Sequence, residues 1–188
     1  MTIPQSIMHN KRLSTAPMID WSTREYLTFA RLFNPHSYLY TEMISTSALL
    51  YGDTDYHLRY YPNEHPVVLQ LGGSHPDELA QCAKLGQDYG YDEVNLNVGC
   101  PSDRVQHYKI GACLMAEPKL VADIVRTMRE AVTIPITVKH RIGIDNFGVE
   151  CRVLVTDKPI MGGIFSSLSI FCGISLAVWV SFVVFYCL

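Results

Sequence analysis

The chain has 188 residues, 48% of them apolar and 18% charged, with a formal net charge of −3. That length allows one domain, or one domain with a tail, and the apolar fraction can fill a core, which excludes wholesale disorder. The mild acidity carries no net-charge signature of nucleic-acid binding. The charge is unevenly spread: all 15 Lys and Arg and all 18 Asp and Glu fall within residues 1–158, and residues 159–188 carry none.

Residues 1–147 alternate between strand-like and helix-like patterns. Leu13–Ile19 reads as a short strand ending at Pro17. Thr23–Phe33 has helical spacing, with Tyr26, Leu27, Ala30, Leu32 and Phe33 apolar among charges and Pro35 as the stop. Tyr38–Met43 reads as a strand, and Ser45–Tyr61 as a short helix followed by loop. Pro66–Leu71 is a β-branched apolar run closed by Gly72 and Gly73. Ser74 is placed to cap the next helix, which has Pro76 in its first turn, an inner stripe of Leu79, Ala80, Ala83 and Leu85, and Gly90 at its end. Glu93–Val98 is the next strand. Glu117–Val132 is a second clear helix, carrying Leu120, Val121, Ile124, Val125, Met128 and Val132 on one face. Pro135–Lys139 is a further strand and runs into His140 and Arg141. Apolar strands alternating with helices imply a parallel sheet with right-handed crossovers. A (β/α)8 barrel and a doubly wound sheet both fit that order.

Polar residues gather where these strands end: Gln70, Asn95, Asn97, Cys100, Lys139, His140 and Arg141. In parallel α/β folds that rim is where sites are built. Gln70 and Lys139 interrupt apolar strands, as polar sheet-end residues or as parts of a site. Cys100 sits in a Gly-Cys-Pro loop just past a strand, a fixed position suited to proton donation or nucleophilic attack. No nearby His is set to act as its base, and that favours the acid role. Cysteines stand at 82, 100, 113, 151, 172 and 187 with no CxxC and no zinc-type Cys/His spacing, so no metal is expected. The N-terminus MTIPQSIMHNKRLST lacks the apolar core of a signal peptide. Free thiols in a reducing, cytoplasmic setting follow as the expectation.

Six stretches carry a resemblance: APMIDW (16–21), YTEM (40–43), HPVVLQLGG (65–73), YDEVNLNVGCPSDRV (91–105), GACLM (111–115) and VKHRIGI (138–144). Together they resemble successive motifs of the tRNA-dihydrouridine synthases, most closely the A subfamily, whose substrates are uridines in the tRNA D-loop. The likeness covers about residues 13–145. It implies an α/β chain holding roughly the first five units of a TIM barrel, with FMN at the C-terminal rim and NADPH as its reductant. It also implies hydride transfer to C6 of uracil, protonation of C5 by a cysteine, and tRNA as partner. Position by position, Cys100 matches the proton donor. Ala16, Pro17 and Met18 match the segment lying against the flavin, and Gln70 and Lys139 match flavin contacts. Asn97 matches a residue near the target uridine, and Arg141 belongs to the same substrate-side motif.

The likeness stops near residue 147, which sets the expected boundary between a partial FMN-binding barrel (1–147) and a non-matching tail (148–188). A flavin-contacting histidine, two glycine-rich phosphate loops and a helical tRNA-binding domain of the family have no counterpart here. From Ile160 to Leu188, 21 of 29 residues are apolar. That run is long enough for a transmembrane helix, but Gly162, Gly163 and the β-branched residues weaken that reading. A shifted or truncated reading frame is favoured over a membrane anchor or a buried core element. The alternative to an active synthase is therefore a catalytically inactive or membrane-tethered fragment keeping part of the flavin and tRNA surface. Poor solubility is expected of the chain alone.

Overall fold

The computed structural model describes residues 14–101, 109–141 and 184–187, the last as backbone. The elements are α1 (Arg24–Phe33), β1 (Leu39–Ser45), α2 (Thr46–Tyr51), α3 (Thr54–Leu58), a 3-10 turn (Pro62–Glu64), β2 (Val67–Gly72), α4 (Pro76–Asp88) and β3 (Glu93–Val98). A second 3-10 segment (Gly111–Ala116), α5 (Pro118–Ala131), β4 (Ile136–His140) and β5 (Val184–Cys187) follow.

The strands form one sheet in the order β1-β2-β3-β4-β5. β1 to β4 are parallel, and β5 pairs antiparallel with β4, Thr137 facing Cys187 and His140 facing Val184. The strand order separates the two architectures that periodicity left open. A doubly wound sheet reverses its winding at a switch point. Here every step among the four parallel strands moves one place in the same direction, so the described sheet is singly wound.

Period-two alternation gives the sheet two different faces. Val67, Leu69, Leu71, Val94, Leu96, Val98, Ile136 and Val138 are buried in one core with Leu79, Cys82 and Ala83 of α4 and Val121, Ile124, Val125 and Met128 of α5. Gly86 lets α4 lie close on β2, since a Cβ there would stand 2.6 Å from Leu69 Cδ2. The alternate positions carry Tyr40, Gln70, Glu93, Asn95, Asn97, Thr137 and Lys139, all buried. The helix-covered face is thus apolar, and the opposite face is polar apart from a small cluster of Tyr38, Tyr40 and Val68.

Several local expectations change. Leu13–Ile19 supplies only a single bridge, Ser14 to Tyr38, and Leu13 lies outside the described residues. Pro17 has no N–H to give, and the following residues turn on themselves: Trp21 and Ser22 both donate to the Met18 carbonyl, at 3.1 and 2.8 Å. The N-cap of α4 is His75 rather than Ser74, without a side-chain bond, and Pro76 takes the first helical position. Ser45–Tyr61 holds two short helices, capped by Ser45 and Asp53 side chains that accept the N–H of Ala48 and Tyr56. On α1 the Thr23 hydroxyl accepts the Tyr26 N–H and Leu27 is buried, but Leu32 and Phe33 are 76% and 75% exposed. Arg31 is buried instead, donating to the carbonyls of Asn34, Ser37, Glu64 and Pro66. Among the described residues no helix is long and apolar enough to cross a membrane. Of the uncharged run, residues 184–187 are described, and they are the strand β5.

Candidate active site

Strand register brings the polar residues together. Gln70 on β2 faces Asn95 on β3. Asn95 faces Thr137 on β4, and one layer further along, Asn97 faces Lys139. The side chains follow the register. Gln70 Nε2 donates to Asn95 Oδ1 at 2.7 Å, Asn95 Nδ2 to Thr137 Oγ1 at 2.8 Å, and Asn97 Nδ2 to Gln70 Oε1 at 3.0 Å. Glu93 lies one layer below, where its Oε1 accepts from Thr137 at 2.5 Å and from the Tyr40 hydroxyl at 3.1 Å.

The Cys100 loop is built on the upper end of this row. Asn97 Oδ1 accepts the N–H of both Gly99 and Cys100 at 3.0 Å. Arg141 Nε donates to the Gly99 carbonyl at 2.7 Å, and the Cys100 carbonyl accepts from Ala112 at 2.9 Å. That last bond ties the loop to the GACLM segment. Gly99 leaves little room for a side chain, because a Cβ would stand 3.2 Å from the His140 carbonyl carbon and 3.3 Å from its Cα, and that backbone would have to give. The result is a free, half-buried thiol on a backbone held from three sides. Cys113, in the GACLM segment, is also a free half-buried thiol, whereas Cys82 on α4 is fully buried in the core, and burial pushes its pKa up to about 12, with Glu78 adding to it. A thiol so placed is a packing residue.

Lys139 lies beside this loop, 7% exposed. The charged groups acting on it among the described residues are Arg141 and Cys100. Burial pushes its pKa down, the positive charge of Arg141 adds to that, and Cys100 acts in the opposite sense. A buried cation next to a second cation is a site for an anionic or electron-rich group.

Gln70, Asn97, Cys100, Lys139 and Arg141 therefore converge at the C-terminal ends of β2, β3 and β4. Ala16, Pro17 and Met18 stand apart, beyond β1 in the strand order. Their polar groups are engaged locally, the Ser22 hydroxyl donating to the Ala16 carbonyl and accepting the Met18 N–H. Asn97 has both ends of its amide committed to the chain itself. Arg141 has its Nε committed to the loop. Sequence reasoning passed over Glu93, Thr137, Tyr40 and Ser22. The first two were detectable from alternation: Glu93, Asn95 and Asn97 share one face of EVNLNV, and Thr137 and Lys139 share one face of ITVKH. Among the described residues no three His, Cys, Asp or Glu side chains come together as metal ligands.

The family model for dihydrouridine synthase (Dus) matches residues 14–157. The chain belongs to the dihydrouridine synthase family. It is 59% identical over 138 residues to a tRNA-dihydrouridine(20/20a) synthase of Vibrio parahaemolyticus, covering 73% of this chain and 42% of the relative. It is 61% identical over 136 residues to the enzyme of that name from Pseudomonas aeruginosa, covering 72% and 41%. With the namesake from a Synechocystis species it shares 59% identity over 134 residues, covering 71% and 40%. The chain thus spans about two fifths of the length of these curated dihydrouridine synthases. The Dus match covers the whole described site, and the uncharged run 159–188 lies beyond it.

Proposed function

We propose that this chain carries the flavin-facing and proton-donating part of a tRNA-dihydrouridine synthase, built on the first units of a (β/α)8 barrel and acting in the cytoplasm on D-loop uridines. The observation that carries the reading is the Cys100 thiol, held by Asn97, Arg141 and Ala112 beside the largely buried cation of Lys139.

The residues fit FMN. A flavin ring gains negative charge on reduction, and a largely buried ammonium is what would stabilise it. Lys139 would hold that charge. Gln70 keeps one N–H and one lone pair beyond its bonds to Asn95 and Asn97, and that spare capacity is what it offers the ring. Ala16–Met18 supplies an apolar edge. When bound, FMN reduced by NADPH supplies a hydride, with NADPH the species oxidised overall.

Saturating the C5=C6 bond of uracil by hydride addition at C6 requires a proton at C5. Cys100 gives that proton from Sγ and becomes a thiolate. The rigid loop keeps the thiol in place, so orientation is prepared before substrate arrives. The uracil has to leave its stack to reach this rim. Asn97 and Arg141 line the side from which it would enter.

Flavin titration of the full chain, followed by a dihydrouridine assay on tRNA with NADPH, tests the reading. FMN should bind, and Cys100→Ala should keep the flavin while losing product by about a hundredfold or more. A chain that cannot be reconstituted with FMN defeats the proposal. A second reading rests on β5, which runs antiparallel on the edge of β4: a chain that binds FMN without turning over tRNA. Flavin bound with no product in either variant would select it.

A further inference from the structure

The polar row beneath Cys100 has only one possible ordering of donors and acceptors. Backbone N–H groups can only donate, so the atom of Asn97 that meets Gly99 and Cys100 at 3.0 Å is its oxygen. Its other end is then the NH2, which obliges Gln70 to show it a carbonyl at 3.0 Å. Gln70 must therefore present its NH2 to Asn95 at 2.7 Å, and Asn95 must present its own to Thr137 at 2.8 Å. The Thr137 hydroxyl, having accepted, has one place to send its proton, the Glu93 carboxylate at 2.5 Å. The Tyr40 hydroxyl donates to the same oxygen at 3.1 Å. Reversing any one amide would set donor against donor or acceptor against acceptor at a neighbouring link.

We propose that Thr137 and Glu93 are positioning residues for the Cys100 thiol, acting through this one-way hydrogen-bond chain that ends on the backbone N–H groups of Gly99 and Cys100. The carboxylate is the terminal acceptor that polarises the row, and the loop is its other terminus. All the side chains in it are buried, so water does not replace a lost link and each amide depends on its neighbour. Breaking the row at Thr137 leaves the Asn95 NH2 without an acceptor. Asn95 then loses what holds it, Gln70 and Asn97 lose rigid neighbours in turn, and the loop's acceptor is held less firmly. The catalytic consequence rests on the reading of Cys100 as the proton donor. The structural claim does not.

The test is amide hydrogen exchange at Gly99 and Cys100 in the full chain, resolved by fragmentation mass spectrometry, together with the rate of Cys100 alkylation by iodoacetamide. Thr137→Val keeps the shape and removes the hydroxyl. It should speed exchange at Gly99 and Cys100 by roughly three- to tenfold, the range expected for losing one buried hydrogen bond, and speed alkylation of Cys100. Exchange at Leu69 and Leu96 should stay as in the wild type. Thr137→Ser restores the hydroxyl and should restore wild-type exchange. A folded Thr137→Val with unchanged exchange at Gly99 and Cys100 overturns the proposal, as does a Thr137→Ser that exchanges as fast as Thr137→Val. If exchange protection in α4 shows that Thr137→Val has not folded, Asn95→Leu breaks the row at its middle, and the same expected and overturning results apply. Loss of the acid role would appear separately, as a Cys100→Ala variant with undiminished product, and would leave the exchange result standing.

Discussion

Lys139→Met should make the flavin-free chain more stable and the flavin complex weaker. The lysine is 7% exposed, and burial together with the Arg141 charge disfavours its charged form. Methionine keeps most of the aliphatic stem and removes the charge. Removing a desolvated charge beside a like charge is worth roughly 1–3 kcal/mol, so the variant should gain about 2 kcal/mol. With a urea slope of about 2 kcal/mol per M, the midpoint should rise by about 1 M. FMN affinity should fall by roughly tenfold or more, the value of one charge-assisted bond. The pH dependence has a definite sign. The folded-state pKa of Lys139 lies below the ordinary 10.5, so between the two values the unfolded chain holds more protons and stability rises with pH. Tyr60 and Tyr91, whose pKa values burial raises, contribute the opposite slope at alkaline pH. The quantity to read is therefore the wild type minus Lys139→Met: the gap should be largest near neutrality and close as pH approaches 10.5. Urea midpoints from pH 7 to 10.5, with and without FMN, give both readouts. A variant whose midpoint is unchanged or lower without FMN would mean that Lys139 is compensated in the free chain, and the case for a charge held ready for a ligand would fail.

Two further outcomes follow from the same geometry. Gly99→Ala places a Cβ 3.2 Å from the backbone of His140; it should cost about 1–3 kcal/mol in a denaturation midpoint and raise the alkylation rate of Cys100, because backbone rather than a flexible side chain must yield. Glu64 is fully buried, its Oε1 accepts from the Thr28 hydroxyl, and its Oε2 has no partner. Burial raises its pKa above 4.5 despite the Thr28 bond. The stability it contributes is present below 4.5 and lost as pH rises through the raised folded value. Glu64→Gln should therefore flatten that fall and exceed the wild type by roughly 1–3 kcal/mol at pH 7; thermal melts at pH 4.5 and 7 with parallel changes in both proteins would contradict it.

The strand and helix alternation from residue 38 to 140 was legible because each element carries its own periodicity. EVNLNV and ITVKH alternate every second residue, and Pro118–Ala131 repeats its apolar residues at helical spacing. Those are local properties of the chain, readable without a partner. The candidate rim was legible for a similar reason, since Gln70, Asn97, Cys100, Lys139 and Arg141 all fall where strands end. What local pattern does not contain is direction across the sheet. Periodicity is the same whether strands are wound in one direction or two, and only the pairing of β1 with β2, β2 with β3 and β3 with β4 made the order singly wound. Burial of Arg31 in place of Leu32 and Phe33 was likewise hidden, because four carbonyl groups from separate segments meet only in the folded chain. The same holds for Glu93 and Thr137, 44 residues apart and 2.5 Å from bonding partner to partner. The sequence determined which residues are polar, where the apolar stripes fall and that a cysteine sits on a Gly-Pro loop after a strand. Tertiary structure decided that the polar residues form one directed row and that Lys139 is a buried cation beside that cysteine. Hydrogen bonding and desolvation depend on neighbours in space, and those neighbours come from different strands.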